Sequence, residues 1–162
     1  MDAGILDPRL VLLSTQAQRW QTVVEELSRL LLEDGRITSL SEFVQSVCAR
    51  ESRISTYCGQ GIAVPHAVSK AVKTPSLGVA RTSGFYWHDP DEWVRLVFLF
   101  AVPERTAETD SASLHIDVLS AIAVLALDEK NIERWLKATR AEEIVESIEA
   151  ALAAADKNSA EK

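Results

Sequence analysis

The chain has 162 residues, of which 47% are hydrophobic and 25% charged, values typical of a single globular domain and not of a disordered chain. Its net charge is −7, from 17 Lys and Arg against 24 Asp and Glu, which argues against a nucleic-acid partner because such binding needs a basic face. No apolar run approaches the roughly 20 residues that span a bilayer, and the N-terminus lacks a secretory signal. We therefore expect a cytoplasmic protein that does not bind nucleic acid.

The N-terminal part of the chain predicts two helices. Apolar residues recur at helical spacing over residues 14–33, and Gly35 follows as a helix-ending residue. A second helix is expected after Ser39, because the pattern from Ser39 to Glu42 is typical of a capping box. Each helix has one apolar and one polar face, which is the pattern of a surface helix.

The middle of the chain predicts strands. Residues 54–64 are expected to form short extended pieces broken by two glycines, and residues 76–82 are strand-like. Residues 94–102 are nearly all apolar, so we expect a central strand that is covered on both faces. The segment 83–93, which contains Pro90, is predicted to be a turn-rich connector.

The remainder predicts a polar loop and then helices. The loop is expected at 104–113, and the helices at 114–127, at 131–137 and from Thr139 onward. We interpret residues 1–152 as one α/β domain, a sheet flanked by helices, and residues 153–162 as a flexible C-terminal tail.

The first candidate functional residue is His66. It follows Gly59, Gly61, a short apolar segment and Pro65. The glycines allow close approach of another molecule, and the proline fixes the backbone just before the histidine. A histidine so placed is presented at a strand end rather than buried. A hydrogen-bonded loop histidine is an equally good interpretation of these local features.

The other histidines and the cysteines give weaker signals. His115 is predicted near a helix start, where free N–H groups favour an anion, although a purely polar role is the better interpretation of that position alone. His88 is expected on the surface, and Cys48 and Cys58 are interpreted as small buried apolar residues. A nucleophilic pair of Cys58 with His66, and a two-histidine metal site at His66 and His115, stay open, although no spacing marks a further ligand.

A set of motifs, taken in order, resembles a known family. The motifs are Arg50-Glu51, Ser55-Thr56, Gly61-Ile-Ala-Val-Pro-His66-Ala, the apolar run that ends at Pro103, and His115-Ile-Asp-Val-Leu-Ser120. Together they resemble the fructose/mannitol-type enzyme IIA domain of the bacterial phosphoenolpyruvate:sugar phosphotransferase system (PTS), a family that includes the nitrogen-branch regulatory enzyme IIA. The resemblance extends from about Leu6 to Leu152, and the G-I-A-V-P-H segment is its most specific part.

This resemblance implies a mixed β-sheet with helices on both faces and a phosphoryl group carried by His66. It also implies that His115 is a neighbouring helper and Arg50 a cation on the phosphate side, with no metal and no cofactor. The implied donor is the phosphocarrier protein HPr, and the implied acceptor is a cysteine of an enzyme IIB domain. Contact with a membrane is then expected only through IIB and IIC.

Two other roles stay open within the same family. One is a nitrogen-branch type regulatory protein, in which the phosphorylation state of His66 controls regulated target proteins. The other is a family member that binds partners without being phosphorylated.

Three positions depart from the pattern of the family. The segment before His115 is longer than usual, Tyr57-Cys58 stands where small residues are common, and Trp93 stands where a proline is often found. Trp93 and the nearby Trp87 are interpreted either as a partner-binding patch or as partly buried packing residues.

Overall fold

The structure, a computed structural model, describes residues 4–104 and 111–160, and in the second range the side chains of residues 119–151 and 153–154. Its helices are α1 (Trp20–Glu33), α2 (Leu40–Glu51), α3 (Ser111–Ala126), α4 (Glu129–Lys137) and α5 (Ala141–Ala160). Its strands are β1 (Val11–Thr15), β2 (Tyr57–Gly59), β3 (Ile62–Ala63), β4 (His66–Ser69), β5 (Ser76–Tyr86) and β6 (Trp93–Pro103).

The strands form one mixed sheet built around β6. On one side β6 pairs antiparallel with β5, with Val79 opposite Phe98, and β1 adds parallel to β5. On the other side β3 and then β4 pair parallel to β6, and β2 pairs antiparallel with β3. His66 lies opposite Phe100. The predicted mixed sheet in a single α/β domain is confirmed.

The central position of β6 follows from its sequence. Side chains of β6 alternate between two cores. Val97 and Leu99 contribute to the core on the face covered by α1 and α2. Phe98 and Phe100 contribute to the core on the opposite face, which is covered by α3, α4 and α5. All four side chains are fully buried, and each such burial stabilises the fold by about 1.5–3 kcal/mol. The prediction of a central strand covered on both faces is therefore confirmed.

Two helix boundaries agree with the local chemistry of the sequence. The hydroxyl of Ser39 accepts a hydrogen bond from the N–H of Glu42 at 3.2 Å, which caps the first turn of α2. Gly35 has a φ of +73° just after the end of α1, a conformation that glycine adopts without strain. Both features were predicted from the residue types alone.

The prediction of a helix over residues 14–33 was wrong at its N-terminal end. The chain forms β1 as far as Thr15, and α1 begins only at Trp20. Val11 and Leu12 are paired with β5. Where the chain leaves the sheet, the hydroxyl of Thr15 accepts a hydrogen bond from the N–H of Ala17. Backbone pairing with a distant strand therefore overrides the local helical pattern.

The prediction of a connector over residues 83–93 is confirmed for residues 87–92 and was wrong at its two ends. β5 continues to Tyr86 and β6 begins at Trp93, so the two strands form a hairpin with a short connection. Gly84 has a φ of +104° at an irregularity in the β5–β6 pairing. Glycine here allows a bulge inside a strand, not a turn between strands.

The C-terminal helices follow the predicted order with different bounds. α3 begins at Ser111, and most of the loop predicted over 104–113 lies outside the described residues. α5 continues to Ala160, past the domain end predicted at Leu152, and the flexibility of residues 153–162 stays a prediction. Within the described part of the chain, no helix combines the length and apolar character needed to cross a bilayer.

Candidate active site

A tight turn between β2 and β3 leads the chain to the site. Its residues Gly59, Gln60 and Gly61 have φ angles of +90°, +56° and +77°. Two glycines make this run of left-handed residues accessible, as the sequence predicted. The turn places β3 against β6, and Pro65 then leads directly into β4.

His66 is the first residue of β4 and is only 6% exposed. The sequence predicted a presented rather than a buried side chain, so the histidine is more enclosed than expected. The reason is that β4 pairs with the central strand on one side while α2 packs against it. A buried imidazole is costly unless its nitrogens are hydrogen-bonded.

Hydrogen bonds at both ring nitrogens define the chemical state of His66. Nδ1 lies 2.8 Å from the carbonyl oxygen of Val64, and Nε of Arg50 donates to Nε2 at 2.9 Å. A carbonyl only accepts hydrogen bonds, so the ring proton is assigned to Nδ1. Nε2 therefore carries a lone pair, as a nucleophilic nitrogen must.

The electrostatic surroundings of His66 favour its neutral form. Burial lowers the pKa of His66 below its ordinary value of 6.5, while the hydrogen bond to the carbonyl of Val64 acts in the opposite direction. The positive charge of Arg50 lowers the pKa further, and the negative charge of Glu51 raises it. The net effect keeps the ring available as a neutral nucleophile at neutral pH.

Arg50 lies in the last turn of α2 and is exposed. Because its guanidinium contacts Nε2 of His66, the Nε2 edge of the buried ring faces the molecular surface. A guanidinium has five N–H donors in a planar fork that matches the oxygens of a phosphoryl group. The structure thus brings together two of the three predicted site residues.

The third predicted residue, His115, belongs to α3, but it is not among the residues whose side chains are described. Its expected position beside His66 therefore stays a prediction. Among the described side chains, no group of three or more His, Cys, Asp or Glu residues could hold a metal ion.

The two cysteines are less buried than the sequence suggested. Cys48 is partly buried, and Cys58 is exposed. Although the residue as a whole is exposed, its thiol points inward and donates a hydrogen bond to the carbonyl oxygen of Ile62 at 3.4 Å. Desolvation of this thiol raises its pKa. An activated nucleophilic thiol needs a lowered pKa, so this geometry does not support a nucleophilic pair of Cys58 with His66.

The aromatic residues near the start of β6 divide between core and surface. Trp87 is 3% exposed and belongs to the core beneath α1 and α2. Trp93 is 44% exposed and packs edge-on against the exposed Tyr86, with ring centroids 4.9 Å apart. His88 is exposed, which confirms its predicted place on the surface, and its ring packs against Trp20 with centroids 5.2 Å apart.

Glu51 is part of the Arg50-Glu51 motif, but no role at the site was predicted for it. Its side chain is 1% exposed, although it is a carboxylate. The backbone N–H and the hydroxyl of Thr56 donate to its two oxygens at 2.8 and 2.7 Å, and the indole N–H of Trp87 donates at 2.6 Å. Nε2 of His88 lies 3.2 Å from the same carboxylate. The one available signal was the position of Glu51 directly after Arg50 at a helix end.

Comparison with known families decides the class of the protein. The protein-family model described as "Phosphoenolpyruvate-dependent sugar phosphotransferase system, EIIA 2" matches residues 4–151 of the chain. The chain belongs to this family. The resemblance identified in the sequence is thereby confirmed over nearly the whole EIIA domain.

A curated relative of this EIIA domain is a much longer protein. The domain is 32% identical over 132 residues to the PTS system 2-O-alpha-mannosyl-D-glycerate-specific EIIABC component of Escherichia coli. The match covers 80% of this chain but only 20% of that protein. The chain thus spans a small part of the length of this relative.

Two solved structures resemble the EIIA domain closely. The crystal structure of nitrogen regulatory protein IIA-Ntr from Neisseria meningitidis has a TM-score of 0.77 and 29% identity, and the match covers 91% of this chain and 96% of that one. The complex of enzyme IIAMTL and phosphorylated enzyme IIBMTL from Escherichia coli contains a match with a TM-score of 0.72 and 25% identity, covering 88% of this chain and 95% of that one.

Proposed function

We propose that this EIIA domain carries a phosphoryl group on Nε2 of His66, accepted from a phosphohistidine of HPr and passed to a cysteine of an enzyme IIB. The observation that carries the proposal is the state of the His66 ring. Val64 holds the proton on Nδ1, and Arg50 contacts the nitrogen that bears the lone pair. This combination supplies a nucleophile and a phosphate-binding cation at one place.

In the first step, the hydrogen bond from Arg50 to Nε2 of His66 breaks, and the lone pair of Nε2 attacks the phosphorus of the donor phosphohistidine. The new bond joins Nε2 to phosphorus, the nitrogen–phosphorus bond of the donor breaks, and the donor imidazole recovers its electron pair. The attacking ring of His66 gains positive charge as its bond to phosphorus forms. The carbonyl oxygen of Val64, which accepts a hydrogen bond from Nδ1–H and lies 2.8 Å from Nδ1, stabilises that charge.

In the second step, a cysteine thiolate of IIB attacks the same phosphorus. A sulfur–phosphorus bond forms, the bond to Nε2 breaks, and His66 returns to the neutral ring with its proton on Nδ1. Phosphoryl transfer proceeds through a loose transition state, so the protein mainly positions the group and stabilises its oxygens. In our proposal Arg50 and His115 supply donors to those oxygens.

The partner assignment rests on the relatives. The Escherichia coli neighbour was solved as a complex of IIA with phosphorylated IIB, which supports an IIB partner for this chain. The HPr donor is inferred from membership of the EIIA family. The proposal places the chain in the cytoplasm, and at the membrane only through IIB and IIC.

A regulatory role is the second candidate function. It is supported by the likeness to nitrogen regulatory protein IIA-Ntr from Neisseria meningitidis, at a TM-score of 0.77 and 29% identity. In this alternative the same phosphorylation of His66 takes place, but the phosphorylation state controls binding to target proteins.

The test is reconstitution with phosphoenolpyruvate, enzyme I and HPr, followed by addition of IIB. We expect acid-labile, base-stable phosphate on the wild-type chain and none on His66→Gln. Transfer onward to an IIB supports the transport role. Failure of every IIB to accept the group, with bound proteins that change on phosphorylation, supports the regulatory role. Labelling that persists in His66→Gln overturns the proposal.

A further inference from the structure

Glu51 follows Arg50 in the chain, and the two side chains reach the His66 region in different ways. Arg50 is exposed and contacts Nε2 of His66 directly. Glu51 is buried and accepts hydrogen bonds from the segment that precedes His66. The last turn of α2 is therefore joined to the site at two points by consecutive residues.

The second connection runs through a continuous series of hydrogen bonds. The N–H of Thr56 donates to the carboxylate of Glu51 at 2.8 Å, and the carbonyl of Thr56 accepts the N–H of Val64 at 3.1 Å. The carbonyl of Val64 in turn lies 2.8 Å from Nδ1 of His66. Each bond fixes the backbone of a residue that makes the next bond in the series, so the position of the Val64 carbonyl depends on the hydrogen bond to Glu51.

The carboxylate is itself held from the opposite side. The indole N–H of the buried Trp87 donates to Oε1 of Glu51 at 2.6 Å, and Nε2 of His88 lies 3.2 Å from the same oxygen. The second oxygen, Oε2, accepts the hydroxyl of Thr56 at 2.7 Å. Glu51 thus joins α2, the β5–β6 connection and the start of β2, three parts of the chain that meet beside the site.

We propose that Glu51 is a positioning residue for phosphoryl transfer: it fixes the segment from Thr56 to Val64 so that the Val64 carbonyl holds the Nδ1 proton of His66 while Arg50 reaches Nε2. The inference rests on the proposed function, in which Nε2 is the nucleophile. Glu51 itself touches neither the ring nor the transferred group in this arrangement. Its effect is exerted through Thr56 and Val64.

The test compares Glu51→Gln with Glu42→Gln. The side-chain amide of glutamine has nearly the same shape as the carboxylate of Glu51 but carries no charge. It also has one oxygen to accept the hydrogen bonds that the carboxylate accepts on two. Glu42 lies in the first turn of the same helix, α2, so it serves as the matched control. Circular dichroism establishes that both variants are folded.

The first readout requires no phosphoryl donor. Nitrogen-15 NMR of the unphosphorylated protein at about pH 8, where imidazole is neutral, reports which nitrogen of His66 carries the proton. We expect the Nδ1–H form to dominate in the wild type and in Glu42→Gln, and to lose population in Glu51→Gln. An unchanged tautomer in a folded Glu51→Gln overturns the positioning role.

The second readout is the rate of phosphorylation by phospho-HPr. We expect Glu51→Gln to be slower by roughly tenfold or more, since small displacements of reacting groups have effects of that size, and Glu42→Gln to match the wild type. If the wild type takes no phosphate, the proposed function fails, while the tautomer comparison still decides the role of Glu51.

Thr56→Val gives a second test if Glu51→Gln does not fold. It removes only the hydroxyl that donates to Oε2 of Glu51 and keeps the backbone N–H and the charge of the carboxylate. We expect a smaller shift in the same direction for the tautomer of His66 and for the rate. Wild-type values for both quantities in folded Thr56→Val overturn the proposal.

Discussion

Nε of Arg50 donates a hydrogen bond to Nε2 of His66 at 2.9 Å, across 16 positions of the chain. The contact is made by an exposed cation to a ring that is 6% exposed. It marks the edge of the ring that an incoming group can reach. Because Val64 occupies the other nitrogen, the two contacts together fix the orientation of the imidazole and assign its lone pair to Nε2.

Arg50→Lys tests the guanidinium as a phosphate ligand. The ammonium keeps the charge but cannot present two parallel donors to a phosphoryl group. We expect phosphorylation by phospho-HPr to slow by roughly ten- to a hundredfold, because a hydrogen bond to a charged group contributes about 1.5–3 kcal/mol. Arg53→Lys, an exposed arginine just after α2, is the matched control. Equal rates for the wild type and Arg50→Lys would remove Arg50 from the site.

The titration of His66 tests its electrostatic surroundings. Burial and the charge of Arg50 lower the pKa of His66, so we expect its ring protons to titrate below 6.5 in a proton NMR experiment. Arg50→Gln removes one of the influences that lower the pKa, so the midpoint should move upward. A midpoint at or above 6.5 in the wild type would contradict the account of a neutral nucleophile.

The same shift has a consequence for stability. As the pH falls below 6.5, the unfolded chain binds a proton at His66 before the folded chain does. The free energy of unfolding should therefore decrease between 6.5 and the lower pKa of the folded state. Urea unfolding of the wild type and of His66→Gln across this window measures the effect, and we expect a weaker pH dependence in the variant. Parallel curves would show that His66 does not titrate differently in the two states.

His115→Ala tests the role that family membership implies for this residue. We expect phosphorylation of His66 to slow without being abolished, because the variant removes one donor that stabilises the transferred group, worth about 2–4 kcal/mol. Single-turnover rates with phospho-HPr measure the change. An unchanged rate would assign His115 a structural role only.

Gly84→Ala tests the packing of the β5–β6 hairpin. A Cβ at Gly84 would lie 2.3 Å from the ring of Trp93, and the φ of +104° adds backbone strain. We expect a loss of about 1–3 kcal/mol in the free energy of unfolding, as is typical of overpacking. Gly35→Ala is the matched control, since its φ is +73° but nothing lies within 4 Å of the added Cβ. Equal losses in the two variants would show that Trp93 moves aside at no cost.

Much of the fold could be predicted because its signals are local. The apolar run of β6, the cap at Ser39 and the helix end at Gly35 each depend on neighbouring residues, and each is confirmed. The pairing of β1 with β5 could not be predicted in this way. Its partners lie far apart in the chain, and the residues of β1 are few and weakly patterned.

At the site, too, local features could be predicted from the sequence and long-range contacts could not. The glycines of the β2–β3 turn and Pro65 indicated a functional backbone near His66. The burial of that ring depends on packing by α2, which no local pattern contains. The partners of Glu51 lie as far as 37 positions away, at His88, so neither its burial nor its contacts could be derived from the sequence.

The most direct test of the central claim is to determine which atom carries phosphorus. Phosphorus–nitrogen correlation NMR of the nitrogen-15 labelled protein, after reaction with phosphoenolpyruvate, enzyme I and HPr, identifies that atom. We expect a single bond from phosphorus to Nε2 of His66, since Val64 holds a proton on Nδ1. Phosphorus on Nδ1, or on another residue, would contradict the account.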